Sequence, residues 1–260
     1  MGITIKSSSE LDLMREAGRI VGLAKLEVAH AIEPGVTTRA LDEIAEKVIR
    51  SEGAIPSFKG YGDPHNSFPA SICASINDEI VHGIPGSRVI DEGDIISVDF
   101  GAIWKGLHAD SAFTQGVGSI SDEAAKLIDA TGVSLEKGIE KAVIGNRIGD
   151  ICFAIQTYAE NQGYSLVRHY VGHGIGYSMH EDPQVPNWGM EPGLGPLLKE
   201  GMAIAIEPML NIGTYRTKVL NDGWTVSTDD GELSAHFEHT VLITNQGPEV
   251  TTRSLMDLEV

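Results

Sequence analysis

Apolar residues recur along the chain at two periods, and their succession lays out most of the fold. Leu11, Met14, Ala17, Gly18, Val21 and Ala24 or Lys25 share one helical face, predicting a helix from a Ser8 or Ser9 cap to about residue 31, stopped by Pro34-Gly35. A second helix starts at a Thr37 or Thr38 cap, turns Leu41, Ile44, Ala45, Val48 and Ile49 inward, and ends near Glu52-Gly53. Residues 60–69 are rich in turn formers, 70–76 read as an apolar strand, and Asn77-Asp78 turns the chain into Ile80-Val81-His82-Gly83-Ile84-Pro85. Ser121 caps a third helix carrying Ala124, Ala125, Leu127, Ile128, Leu135, Ile139 and Val143, and a fourth spans about 149–162.

Between the two helix pairs, residues 94–115 form two β-branched runs about Lys105-Gly106, the signature of a tight hairpin. With those two residues as the loop, Trp104 pairs with Leu107 and Gly101 with Asp110, so Asp99 becomes the diagonal neighbour of Asp110, roughly 7 Å away. Two carboxylates so placed repel unless one is protonated or both bind a cation. An Asp beside a hairpin is common and usually solvated, so the pair gains weight only from the carboxylates and histidines in similar strand contexts downstream.

The pattern also echoes itself. Gly35, Leu41, Ala45, Val48 and Gly53 return at constant offset as Gly145, Ile151, Ile155, Tyr158 and Gly163. Glu92-Gly-Asp-Ile-Ile-Ser-Val-Asp99 returns as Glu200-Gly-Met-Ala-Ile-Ala-Ile-Glu207. The expectation is a single catalytic domain over 1–260, built of two pseudo-symmetric halves at about 10–115 and 120–245, whose carboxylate strands share a central site. Amphipathic helices resemble one another by chance; the repeated acid at a strand end is the sharper half of the echo.

Composition narrows the function. With 42% hydrophobic and 22% charged residues the chain is an ordinary globule, and a net charge of -18 excludes broad DNA or anionic-membrane binding and suits a protein that holds cations. No apolar run reaches spanning length, the N-terminus has no signal core, and Lys6 breaks the myristoylation pattern. Cys73 and Cys152 lack paired spacing, so neither a disulfide framework nor a thiolate zinc site is expected, and a cytoplasmic location is.

The second half carries Gly-His173-Gly-Ile-Gly, His180-Glu-Asp-Pro, Ile-Glu207-Pro and Phe-Glu238-His-Thr. Glu207 ends the apolar run 202–206 and Glu238 lies just before that of 240–243, and acids in such strands are seldom buried unless paired or bound to metal. Asp99, Asp110, His173, Glu207 and Glu238 together offer four carboxylates and one imidazole, a set suited to two bridged divalent ions (Co, Mn, Fe or Zn) rather than one structural zinc. Two such ions acidify a bridging water from about 15.7 toward about 7, so the chemistry is hydrolysis. His30, His65, His169 and His236 read as surface or supporting residues.

These five residues in order, with Ser-Ile-Asn-Asp-Glu-Ile-Val-His82-Gly-Ile-Pro and Asp222-Gly-Trp224-Thr, resemble the type I methionine aminopeptidases, and the likeness runs over nearly the whole chain. The resemblance implies an α/β (α+β) fold, the pseudo-twofold "pita-bread" with antiparallel sheet covered by helices. It also implies removal of the N-terminal methionine from nascent polypeptides with a small second residue. Glu207 would then be a ligand and the proton shuttle, His180 would stabilise the oxyanion, and His82 would contact the substrate amide and help the leaving amine. The methionine pocket maps onto Cys73, Phe68, Met179 and Trp224. Without the resemblance, Cys73 and Phe68 read equally as core, and His82 as a turn residue.

The chain departs from the pattern in a longer segment between Tyr61 and Phe68, which leaves a pocket role for Tyr61 unsupported, and in Met179, where Phe or Leu is common. It lacks the zinc-binding extension of eukaryotic type I forms and the helical insertion of type II. Alternatives are a proline-directed metallopeptidase of the same fold and a catalytically idle peptide-binding module. A monomer is expected, with transient ribosome association through a basic spot such as Arg216 with Lys218.

Overall fold

The computed structural model describes residues 2–254. Four helices form its outer layer: α1 (Ser8–Ala31), α2 (Thr38–Ser51), α3 (Asp122–Ile139) and α4 (Ile148–Asn161). Thr37 and Ser121 cap α2 and α3 by accepting the backbone N–H three residues on. The cap of α1 is Ser7, not Ser8 or Ser9. A capping box needs Glu or Gln three residues after the cap, and Glu10 stands in that relation only to Ser7, whose N–H it accepts at 2.6 Å. Helix α3 stops at Ile139, short of the expected Val143, as the chain tightens into turn bonds from Lys141 N–H to Gly138 and from Ala142 N–H to Ile139.

Beneath the helices lie antiparallel sheets. Strands Ile95–Trp104 and Leu107–Gly116 pair over their full ten residues, with Trp104 against Leu107, Gly101 against Asp110 and Asp99 against Ala112. Lys105 and Gly106 both take positive φ, 48° and 87°, the turn that matches strand twist. Strand Ile72–Ile76 flanks the other edge of the first hairpin strand. It starts two residues later than the apolar run, because the N–H groups of Ser71 and Ile72 are taken by the Asp42 carboxylate at 2.7 and 3.0 Å.

A second sheet runs in the order Gly247–Val250, His239–Thr244, Ala203–Ile206, Gly172–Gly174 and Glu181–Val185. The two sheets are stitched together where Ala112 and Glu238 exchange backbone hydrogen bonds of 3.2 and 2.9 Å. That contact brings the hairpin against the strand bearing Glu238. One core lies under α1 and α2, joining Ile20, Leu41 and Ile49 to Ile72, Val98 and Phe100. Another lies under α3 and α4, joining Leu127, Ile151 and Ile155 to Ile204, Ile206 and Val241. No helix among the described residues is long and apolar enough to cross a membrane.

Candidate metal centre and adjoining pocket

Each element delivers one or two polar side chains to a common cavity. Asp99 and Asp110 come from the two hairpin strands, His173 from Gly172–Gly174, Glu207 from just beyond Ala203–Ile206, and Glu238 from just before His239–Thr244. The glycines beside His173 are there because backbone presses on them: a Cβ at Gly172 would lie 2.4 Å from the Ala205 carbonyl, and one at Gly174 2.2 Å from that of Asp182. Gly83 likewise lets the chain after His82 sit against Ala74, whose carbonyl a Cβ would meet at 2.3 Å.

Ligand atoms of Asp110, His173 and Glu238 all lie within 4.8 Å of one another. Nε2 of His173 is 3.6 Å from Glu207 and 4.0 Å from Asp110. Its Nδ1 donates to the Gly174 carbonyl at 2.9 Å, which leaves Nε2 as the lone-pair nitrogen facing the acids. Burial, reinforced by mutual repulsion, holds the carboxyls of Asp110, Glu207 and Glu238 well above the usual range, and burial pushes Asp99 up to about 7. Burial and the neighbouring His180 pull His173 down to about 3, so its imidazole is neutral.

The donor set fits a divalent cation. Asp99 Oδ1, Asp110 Oδ1, Glu238 Oε1 and His236 Nε2 are buried without a hydrogen-bond partner among the described residues. Unpaired buried oxygens of this kind are costly, and cations satisfy them.

Of the two readings the sequence left for His236, surface or supporting, the structure favours the supporting one. It is buried, lines the cavity, and places Nε2 4.0 Å from both Glu207 and Glu238. The signal is nonetheless local: His236 and Glu238 are two residues apart in an extended segment and so project to one face. His30, His65 and His169 are exposed.

One wall of the cavity is apolar. Phe68, Cys73 and Met179 are buried together with Phe58 and Ala70, and Trp224 packs on them, its ring 5.3 Å from that of Phe68 in edge-to-face geometry. Phe58 and Tyr61 also line the cavity, although no sequence signal singles out Phe58 and the longer segment after Tyr61 argues against a pocket role for it. His82 takes a positive φ of 62° and packs edge-on to Tyr170 and Trp224; burial and His180 lower its pKa to about 4. His180 sits at the mouth, its ring 4.3 Å from that of His173. The cavity measures about 120 Å³, against roughly 10–15 Å³ for one water, so it has room for several water-sized groups. Cys73 and Cys152 are free thiols, both buried.

Buried acids and a neutral imidazole converging on one cavity make a candidate cation centre, and comparison with known proteins gives its class as metallopeptidase. Metallopeptidase family M24 matches residues 12–245, and the chain belongs to that family. Within it, the chain is 55% identical over 251 residues to Methionine aminopeptidase 1 of Bacillus subtilis, covering 96% of this chain and 99% of the relative. It is 57% identical to the methionine aminopeptidase of Clostridium acetobutylicum, over 96% and 98% of the two chains. A crystal structure of methionine aminopeptidase from Thermotoga maritima superposes with a TM-score of 0.94 at 43% identity, over 97% of this chain and all of that one. The fold is therefore the pita-bread fold of this family.

Proposed function

We infer that this chain removes the N-terminal methionine from nascent polypeptides, favouring those with a small second residue. The observation that carries the reading is one cavity with a cation-binding acid cluster on its floor and an apolar wall of Phe58, Phe68, Cys73, Met179 and Trp224 beside it. Aromatic rings and a thioether suit an unbranched, polarisable methionine side chain.

Asp99, Asp110, His173, Glu207 and Glu238 would hold two divalent ions, of Co, Mn, Fe or Zn. Divalent ions bound there supply Lewis acidity, polarising a peptide carbonyl and acidifying water. Glu207, protonated in the metal-free protein because of its burial, would ionise beside bound cations and so take a proton from the attacking water and return it toward the leaving amine. His180 donates to the oxygen on which charge develops. His82, neutral and in the cavity wall, contacts the substrate amide.

We also take residues 1–260 as one catalytic domain of two halves, about 10–115 and 120–245; residues 1 and 255–260 lie outside the described part. Support comes from Gly35 and Gly145, with φ of 95° and 93°, and from the bridges Thr37 to Val89 and Arg147 to Leu197, which occupy equivalent places in the repeat. A cytoplasmic monomer that visits the ribosome completes the proposal, Arg216 and Lys218 lying beside or within the exposed strand Thr217–Val219. The test is turnover of Met-Ala-Ser and Leu-Pro peptides by metal-loaded protein. Release of methionine alone supports the reading, and cleavage confined to the proline peptide replaces it with a proline-directed peptidase.

A further inference from the structure

The hydroxyl of Tyr61 lies 2.6 Å from Nδ1 of His180, with the two rings 5.3 Å apart. Both partners are anchored from behind. Tyr61 sits in a loop closed by three backbone hydrogen bonds of 2.8 Å, from Gly60 to Phe68, from Tyr61 to Phe58 and from Phe68 to Tyr61. On the other side, Glu181 accepts from Lys6 Nζ at 2.8 Å, an ion pair almost wholly buried, and from the Ser178 N–H at 3.1 Å. The backbone on either side of the contact is thus fixed, and what remains free is the His180 ring itself.

A neutral imidazole donates from one nitrogen and accepts at the other. A phenol O–H is far more acidic than a neutral imidazole N–H, so in this contact the phenol donates and Nδ1 accepts. The proton of His180 then resides on Nε2. The opposite tautomer would present a lone pair to a developing oxyanion and repel it.

We propose that Tyr61 is a positioning residue that fixes His180 as its Nε2–H tautomer and thereby supplies the site with an oxyanion donor. The inference rests on the oxyanion role proposed for His180 above. It gives the segment between Tyr61 and Phe68 a task distinct from lining the pocket. Tyr61 is 40% exposed, so Tyr61→Phe keeps the ring and leaves the core untouched.

The experiment combines kinetics on Met-Ala-Ser with nitrogen NMR of histidine-labelled, zinc-loaded protein, His180 being assigned by its loss in His180→Ala. In the wild type, Nδ1 of His180 is unprotonated and Nε2 protonated; in Tyr61→Phe the two tautomers mix. Tyr61→Phe lowers kcat roughly 2- to 10-fold with KM little changed, in proportion to the fraction of His180 left in the Nε2–H form. In a His180→Ala background the same substitution is silent. A protonated Nδ1 in the wild type, an unchanged kcat in Tyr61→Phe, or an equal loss in the His180→Ala background overturns the proposal. Full turnover by His180→Ala is a separate failure, because it removes the role of His180 on which the proposal stands.

Discussion

Replacing Asp99 by Asn is expected to stabilise the metal-free protein while abolishing its activity. Burial lifts the Asp99 carboxyl from 3.8 to about 7. Those roughly 3 pH units, at about 1.36 kcal/mol each, amount to about 4 kcal/mol against the charged carboxylate in the folded, metal-free state. The folded chain keeps a proton that the unfolded chain releases between about pH 4 and pH 7, so unfolding free energy falls as pH rises through that window. About 2–3 kcal/mol of the loss falls between pH 5 and pH 8. Asn carries no charge, yet Asp110, Glu207 and Glu238 remain and water reaches the cavity side, so a relative gain of about 1–2 kcal/mol at pH 8 is expected. Urea unfolding of chelator-treated wild type and variant at both pH values measures it. The difference between the two proteins cancels the pH response of distant acids, while Asp110, Glu207 and Glu238, which Asp99 repels, contribute part of the measured change. A variant less stable than the wild type at pH 8, or a wild type equally stable at both pH values, refutes the reasoning.

The same geometry sets three further outcomes. Glu207→Gln keeps the volume and loses the proton carrier, so turnover should fall at least about 100-fold while the circular dichroism spectrum is retained. His236→Ala should weaken metal affinity about 10- to 100-fold by calorimetry, since its Nε2 abuts both Glu207 and Glu238. Met179→Ala opens the apolar wall and should lower kcat/KM for Met-Ala-Ser about 10-fold, with a smaller loss for peptides beginning with a bulkier residue.

The hairpin was legible because it obeys short-range rules: period-two apolar residues, a two-residue turn ending in glycine, and thus a register that places Asp99 diagonal to Asp110. The acids in the second half stood out because they border runs otherwise wholly apolar. What the sequence leaves open depends on contacts distant along the chain. The choice between a surface and a supporting role for His236 is settled only when the strand it lies on is packed against the hairpin, where Thr114 accepts its N–H at 2.9 Å. The late start of the strand at Ile72 depends on Asp42, about 30 positions away. Tyr61 gains its meaning from His180, on another element altogether. The Ser7 cap, by contrast, is local, and the spacing to Glu10 already contains it.

The most direct test is to titrate the chelated, metal-free protein with Mn, Fe, Co or Zn and to measure, on the same samples, bound metal and methionine released from Met-Ala-Ser. Release should be absent without metal, rise in step with occupancy, and vanish with metal affinity in a variant lacking the Asp110 and Glu238 carboxylates. Methionine release that persists in fully chelated protein, or full metal binding by that variant, would contradict the assignment of the buried acid cluster as the catalytic centre.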